Sequence, residues 1–423
     1  MANAILELEP AGDTSIIGWN TKTSPMSAAL LNSTFIQGFE LDDWHSDAPL
    51  HSNATLLPAL LAAAHHTQQQ TGATISGSDF LLATIIGYEV GPRVGLGLWG
   101  SHVLSEGWHS GAVFGSAASA AAVGRLIGLN AEQTEDAFGT ACTQACGLMS
   151  AQFGSDAKHM QHGFAARNGL LAAFLAKGGY TSIKGVFEQE YGGFLKQFSS
   201  GNGKEPHYRL DEITKGLSTV WRTDGVNLKP YASMVSTHPT VDCVRKLQET
   251  YADKMHDVAR MKTITIQMGS DAFHHGGWKA TRPLSSLGAR MSNAFICATQ
   301  IVHRQVLPPQ FKQDMLENED VWRLVYCTTC ELLDDPDAPF GRQTVTVEFT
   351  DGSVLSYTVK AARGVQPPLS NEEIVEKWRQ LTANVADAER VAKIEKPVLG
   401  LDSTDDLTPL YELLSEATKN PIA

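Results

Sequence analysis

The stretch from Gly107 to Gly179 constrains the fold of this chain more than any other. It reads G-W-H-S-G-A-V-F-G-S-A-A-S-A-A-A-V-G-R-L, then A-C-T-Q-A-C-G-L-M-S-A-Q-F-G, then K-H-M-Q-H-G-F-A-A-R-N-G. Apolar or small residues occupy every side of the predicted helix over 111–128, which marks it as buried. Small side chains let neighbouring helices pack closely, so this segment predicts the centre of a helical domain. His109, Lys158 and His162 stand within that framework. A few proton carriers pointing inward among close-packed helices suit acid–base chemistry on a small, carboxylate-bearing molecule.

A chain of 423 residues with 43% hydrophobic content can build two domains with real cores. Its formal net charge of −13 and the lack of a basic stripe argue against nucleic acid or an anionic membrane as partner. If the ligand is an anion, the positive field has to be local, made by a few Lys, Arg and His in a pocket. No apolar run reaches the roughly 18 residues needed to cross a bilayer. Cys142, Cys146, Cys243, Cys297, Cys327 and Cys330 lie in apolar or helical segments, which reads as reduced thiols in an intracellular, first of all cytoplasmic, protein, with mitochondria as the alternative.

The fold class expected is mainly α, with a large helical domain and a smaller α+β domain. Residues 1–222 carry helical patterns, with Ser76-Gly-Ser-Asp79 offering an N-cap, Pro58 expected near the first turn of its helix, and Gly178-Gly179 stopping a helix predicted over 163–177. Residues 223–365 form the α+β domain. M-K-T-I-T-I-Q-M-G alternates like a strand, and R-Q-T-V-T-V-E-F-T-D-G-S-V-L-S-Y-T-V-K is a hairpin turning at Asp351-Gly352. A helix over about 291–302 lies between them. Residues 366–423 are helical again and are expected to return to the first domain.

Four groups can carry chemistry. His109 stands at a helix N-terminus, where the dipole favours a neutral imidazole able to act as a base; a backbone-bonded structural His is the alternative. Lys158 sits in an apolar context just before a helix, as a buried ammonium or an ordinary surface lysine. The segment E-L-D-D-W-H-S-D-A-P-L-H-S gathers Glu40, Asp42, Asp43, His45, Asp47 and His51, which can tune one another's protonation. It lacks a tight helical His pair, so no metal is expected. Lys229, followed by Pro-Tyr231, opens the second domain and can clamp an anion at the junction. His275, in F-H-H-G-G-W, is a further candidate. The single C-x-x-C at Cys327 and Cys330 lacks a second pair for zinc and a redox context. The glycines between Gly87 and Gly100 match no dinucleotide or phosphate-loop spacing.

L-D-D-W-H-S-D-A-P-L-H-S, G-W-H-S-G-A-V-F-G, A-C-T-Q-A-C-G-L-M-S-A-Q-F-G, Q-H-G-F-A-A-R-N-G-L-L and E-Y-G-G-F-L-K together resemble the MmgE/PrpD family, which holds 2-methylcitrate dehydratases and cis-aconitate decarboxylases. The likeness spans nearly the whole chain, is strongest over 30–205, and leans toward the fungal decarboxylases. It implies a helical domain with an α+β lid, a homodimer, no cofactor, and a small di- or tricarboxylate substrate. It further implies catalytic roles for His109, Lys158 and His51, and substrate contacts from Lys229, Asp42 and Asp43; His45, beside that acidic pair, and His275, from its own sequence context, are counted with the substrate contacts. The activity implied is decarboxylation of cis-aconitate or a close relative, with His109 as first choice of general acid, His51 assisting, and Asp43 expected to hold a histidine in its protonated or correct tautomeric form. Dehydration of an alkylcitrate and a non-catalytic binding role are the alternatives. Three departures from the family pattern stand out: relatives carry two further helices before the point where this sequence begins, Met234 replaces a common Cys or His, and His159 is an unusual neighbour for Lys158.

Overall fold

The structure, a computed structural model, describes residues 1–9, 11–333, 335 and 341–422. Its first half is helical: α1 (Pro25–Gln37), α2 (Ser52–Thr71), α3 (Gly77–Gly97), α4 (Ser110–Leu126), α5 (Ala131–Thr143) and α6 (Ala157–Lys177). α4 is the axis. Every residue in it except Arg125 is buried, and it packs against α2, α3, α5 and α6. Small residues make that possible. At the α4–α6 crossing, a Cβ added to Gly169 would stand 2.6 Å from the Ala120 nitrogen and 2.6 Å from Ser119 Oγ. The helix ends are capped as their sequences dictate. Ser76 accepts from the Asp79 N–H at 3.1 Å, and Asn130 and Gln133 form a reciprocal capping box.

The second half carries α7 (His238–Thr250), β3 (Met261–Met268), α8 (Ser270–Gly276), α9 (Ser286–Met291), α10 (Asn293–His303), α11 (Glu319–Tyr326), β4 (Thr328–Leu332), β5 (Gln343–Phe349) and β6 (Val354–Val359). The four strands form one sheet in the order β4-β3-β5-β6, with β3 and β4 parallel and the other pairs antiparallel. Val345, Val347 and Phe349 alternate inward and pack with Phe295 and Trp322 in a second core. The hairpin turns at Gly352, with φ +81°. The closing helices α12 (Asn371–Thr382), α13 (Ala388–Leu399) and α14 (Thr408–Ser415) follow. Ile394, Leu407, Leu410 and Tyr411 join the first core, and the Tyr411 hydroxyl donates to the Leu61 carbonyl at 2.5 Å.

A short antiparallel ribbon ties the two halves together. β1 (Asp43–His45) pairs with β2 (Val226–Leu228), setting Asp43 opposite Leu228 and therefore Asp42 beside Lys229.

Several boundaries differ from the sequence reading. α6 begins at Ala157 rather than Gly163, so Lys158 and His162 stand one turn apart on a helix. α2 begins at Ser52, which puts Pro58 in its interior rather than its first turn. α10 begins at Asn293, because Ser292 caps it. The segment holding Cys327 and Cys330 leads into and forms β4, a strand not foreseen; both thiols are free.

The α4–α6 contact leads to a stability prediction. Gly169→Ala forces backbone and Ser119 apart and costs about 1–3 kcal/mol despite its gain in helix propensity. Gly178→Ala, whose Cβ would meet only carbonyl oxygens at 3.4 and 3.5 Å, serves as the control. Urea denaturation of the two variants checks this, with the control expected within about 0.5 kcal/mol of the wild type.

Candidate active site

Between the helical half and the α+β half lies a cavity of about 510 Å³. The first half contributes Glu40, His51, His109 and Lys158 to its wall; the ribbon contributes Lys229; the second half contributes Met234 and His275. These residues span more than two hundred positions and meet for local reasons. His51 is the residue before α2 and His109 the residue before α4, so both imidazoles stand at helix starts. Lys158 projects from the first turn of α6. Lys229 follows β2, and its side chain is 1% exposed.

The floor of the cavity is a buried ion cluster. Lys158 Nζ meets Glu40 Oε1, Lys229 Nζ lies 3.3 Å from Glu40 Oε2, and Lys229 donates to Asp42 at 2.9 Å. Gln37 ties these three ion pairs together. Its amide nitrogen donates to Asp42, and its carbonyl accepts from Lys158 at 3.4 Å. Burial alone pushes Glu40 toward its neutral form. The Lys158 and Lys229 ammoniums and His159 outweigh that, and hold the carboxyl well below the usual range. At Asp42, burial is likewise outweighed, by His51 and Lys229, and the carboxyl lies well below normal. Lys229 is raised, because Asp42 and Glu40 overcome the desolvation that would lower it. Glu40 holds this position in a left-handed conformation, φ +54°. Arg290 of α9 clamps the turn just before it, donating to the Gly38 carbonyl. Left-handed backbone in a non-glycine residue persists where its surroundings fix it.

Above this floor stand three imidazoles in edge contact. His162 lies between His51, at a ring distance of 5.1 Å, and His109, at 4.8 Å. His51 Nδ1 lies 2.6 Å from Asp42 Oδ2 and 2.7 Å from the Asp43 carbonyl oxygen. Two acceptors at one nitrogen require it to carry the proton, so Nε2 is the atom left to exchange a proton with the cavity. His109 has no such counter-charge. Burial first, then the positive charges of Lys158 and His51, lower it to about 3. It is a neutral imidazole at neutral pH. His162, fully buried, is lowered well below normal by burial and then by His109 and His51. His275 of α8 faces them from the other wall. Its Nδ1 lies 3.3 Å from Gln152 Nε2, and burial lowers it too.

The matches to known families follow the same two halves. The MmgE/PrpD N-terminal domain model matches residues 1–207, and the MmgE/PrpD C-terminal domain model matches residues 231–402. The chain belongs to the MmgE/PrpD family. It is 45% identical over 427 residues to a cis-aconitate decarboxylase of Aspergillus terreus, covering 99% of this chain and 87% of that one. It is 44% identical over 423 residues to a cis-aconitate decarboxylase-like protein of Aspergillus oryzae, at 98% and 87% coverage. Human cis-aconitate decarboxylase is 24% identical over 409 residues, at 94% and 81% coverage.

Within this MmgE/PrpD chain, the structure brings five of the eight residues singled out from sequence to the cavity wall: His51, His109, Lys158, Lys229 and His275. The other three stand elsewhere. Asp42 is behind His51 and Lys229, in contact with both but outside the cavity lining. Asp43 turns its carboxylate to the Asn53 N–H of α2, at 3.1 Å, and to the Tyr88 hydroxyl, at 2.5 Å. It reaches His51 only through its carbonyl, so Asp42 and not Asp43 provides the histidine's carboxylate. Burial raises Asp43 to about 6. His45 faces away from the cavity, with Nε2 2.8 Å from the Arg222 carbonyl and Nδ1 accepting from the Asp47 and Ala48 N–H groups at 3.2 Å. Both ring nitrogens are committed to backbone, which is a structural role. Among the described residues no three His, Cys, Asp or Glu side chains are grouped as a metal site, and no helix is long and apolar enough to cross a membrane.

Glu40 and Gln37 hold both lysines, yet sequence reasoning did not select them. Glu40 was visible only as one of four acids in its segment, and Gln37 lies at the end of a helix whose small hydrophobic residues drew attention to packing.

Two predictions follow from these electrostatics. Glu40→Gln leaves two buried ammoniums with one carboxylate and costs about 3–5 kcal/mol, whereas adding Lys158→Met to it recovers part of the loss. A denaturation double-mutant cycle reads this; additive losses contradict the coupling. The second concerns pH. Unfolded, His109 and His238 take up protons near 6.5, but folded they resist until about 3. Between those values the unfolded chain binds more protons, so stability falls as the pH drops through that window. Asp43 works the other way, its contribution being lost as pH rises through about 6. Stability is therefore lower at pH 5 than at pH 7, and His109→Asn loses less on the same acidification, as measured by urea midpoints.

Proposed function

We propose that this chain is a lyase that removes CO₂ from cis-aconitate, or a close unsaturated tricarboxylate, to give an itaconate-type dicarboxylate. The observation that carries this reading is the meeting of His51, His109, Lys158 and Lys229 in one cavity, in a chain so similar along its length to the Aspergillus terreus cis-aconitate decarboxylase. The reaction calls for positioning and one proton. The departing carboxylate is attached to a methylene next to the alkene. As that C–C bond breaks, its electron pair forms a new terminal C=C, and the old π pair moves to the far alkene carbon beside a retained carboxylate. CO₂ leaves, and one proton completes the product. No step requires a cofactor.

The proton source is an imidazole at the cavity. The sequence alone favours His109 first and His51 second; we take the reverse order, and the surroundings of the two rings support it. Asp42 at 2.6 Å gives His51 a counter-charge, while His109 is lowered to about 3. His51 Nε2 therefore delivers the proton, with Asp42 supporting the ring, as general acids are commonly supported. Neutral His109 donates a hydrogen bond to a substrate carboxylate. Lys158 and Lys229 orient the retained carboxylates and stabilise the charge that develops next to them. We further take the protein to be an intracellular homodimer.

Incubating the protein with cis-aconitate tests this: one CO₂ and one dicarboxylate are expected per substrate consumed. His51→Gln is expected to lower kcat by about 10²–10⁴-fold, with a smaller loss for His109→Gln. Dehydration of 2-methylcitrate without CO₂ release from cis-aconitate would replace this reading by the hydro-lyase one, and turnover of neither would leave a binding protein.

A further inference from the structure

We propose that Lys204 is a specificity-determining residue. It receives the substrate carboxylate that faces the solvent side of the cavity, and so favours tricarboxylates over dicarboxylates. The inference rests on the reading of this cavity as a tricarboxylate site and deepens it.

The argument starts from charge. Lys158, Lys204 and Lys229 are the lysines of the lining, which contains no arginine. Lys158 and Lys229 are already matched by Glu40 and Asp42, two ammoniums against two carboxylates, and Asp271 adds a further acid to the wall. The direct ion pairs of the floor thus balance, ammonium against carboxylate, before any substrate enters. A ligand with three carboxylates needs another cation. Among the described residues, Lys204 has no carboxylate within ion-pair distance of its ammonium, which stands over the Trp99 ring, 5.7 Å from Nζ to centroid. Arg209 lies over the same indole at 4.1 Å, so the tryptophan keeps a cationic neighbour if Lys204 leaves.

The loop that carries Lys204 is built to fix its backbone. Asn202, 5% exposed, accepts the Lys204 N–H at 3.0 Å through its side chain and donates to the His207 carbonyl at 2.8 Å. His102 Nε2 lies 2.7 Å from the Asn202 carbonyl oxygen, and Trp99 Nε1 donates to the Pro206 carbonyl at 3.0 Å. The root of Lys204 is therefore held against the corner after α3, and only its flexible stem is left to swing. Lys204 is half-buried while Lys158 and Lys229 are buried, which puts its ammonium on the outer side of the cavity.

Calorimetric titration with two unreactive probes tests the assignment. Propane-1,2,3-tricarboxylate lacks the alkene that the reaction needs, and methylsuccinate lacks the third carboxylate. Lys204→Gln is expected to weaken binding of the tricarboxylate roughly 5- to 20-fold while changing methylsuccinate affinity less than about twofold, and Lys204→Arg is expected to restore most of the difference. Equal tricarboxylate affinity in Lys204→Gln and wild type would overturn the inference while leaving the proposed function standing, as would an equal loss for both probes. A wild-type protein that binds neither probe would overturn both.

Discussion

The pairing of Lys158 and Lys229 with Glu40 and Asp42 is the interaction on which the rest of the site depends. Four charges leave water together, and each is tolerable only because the others are there. The cluster joins the end of α1, the start of α6 and the ribbon of β1 and β2, so it fixes the relation between the helical half and the α+β half as well as the cavity floor. It also sets the imidazoles above it. Asp42 holds one proton on His51 Nδ1, while the Lys158 ammonium beside His109 adds to burial in keeping that ring neutral.

This arrangement separates two histidines that look alike in sequence. Both stand just before a helix of the first core, and both line the same cavity. Only one has a carboxylate at its back. The difference gives two similar side chains different surroundings, one ring backed by Asp42 and the other kept neutral by burial and the nearby ammonium, which is the basis for the roles proposed for them. The mutual pairing of these lysines and acids has a second consequence. Specificity for a highly charged ligand then falls to groups outside the cluster, on loops whose long side chains can move.

Much of the fold was legible because its signals are local. The small-residue run of α4, the cap at Ser76 and the Asp351-Gly352 hairpin follow from residues close together in sequence. β4 was not legible. Its Thr-Thr-Cys-Glu-Leu pattern is a weak strand signal, and its place is set by pairing with β3, about sixty residues earlier. The start of α6 was missed because Lys158 and His159 look like a polar lead-in until the Glu40 carboxylate gives them a buried partner. The site divides along the same line. His51, His109, Lys158 and Lys229 stand out by type and context, and the family likeness sharpened them. The rotation of each side chain did not. One residue of offset at the start of β1 puts Asp42 on the cluster and Asp43 against Tyr88, and His45 is turned to backbone carbonyl and amide groups. These outcomes depend on ribbon register, which only the partner strand near residue 227 determines.

The most direct test of a positioned acid acting on a shifting double bond is the fate of solvent hydrogen. The reaction run in deuterium oxide, followed by proton and deuterium NMR of the dicarboxylate product, is expected to show one deuterium, on one face of the methylene next to the retained carboxylate, and none in the new terminal alkene. Deuterium on both faces of that methylene, or at the alkene, would contradict delivery from a fixed imidazole.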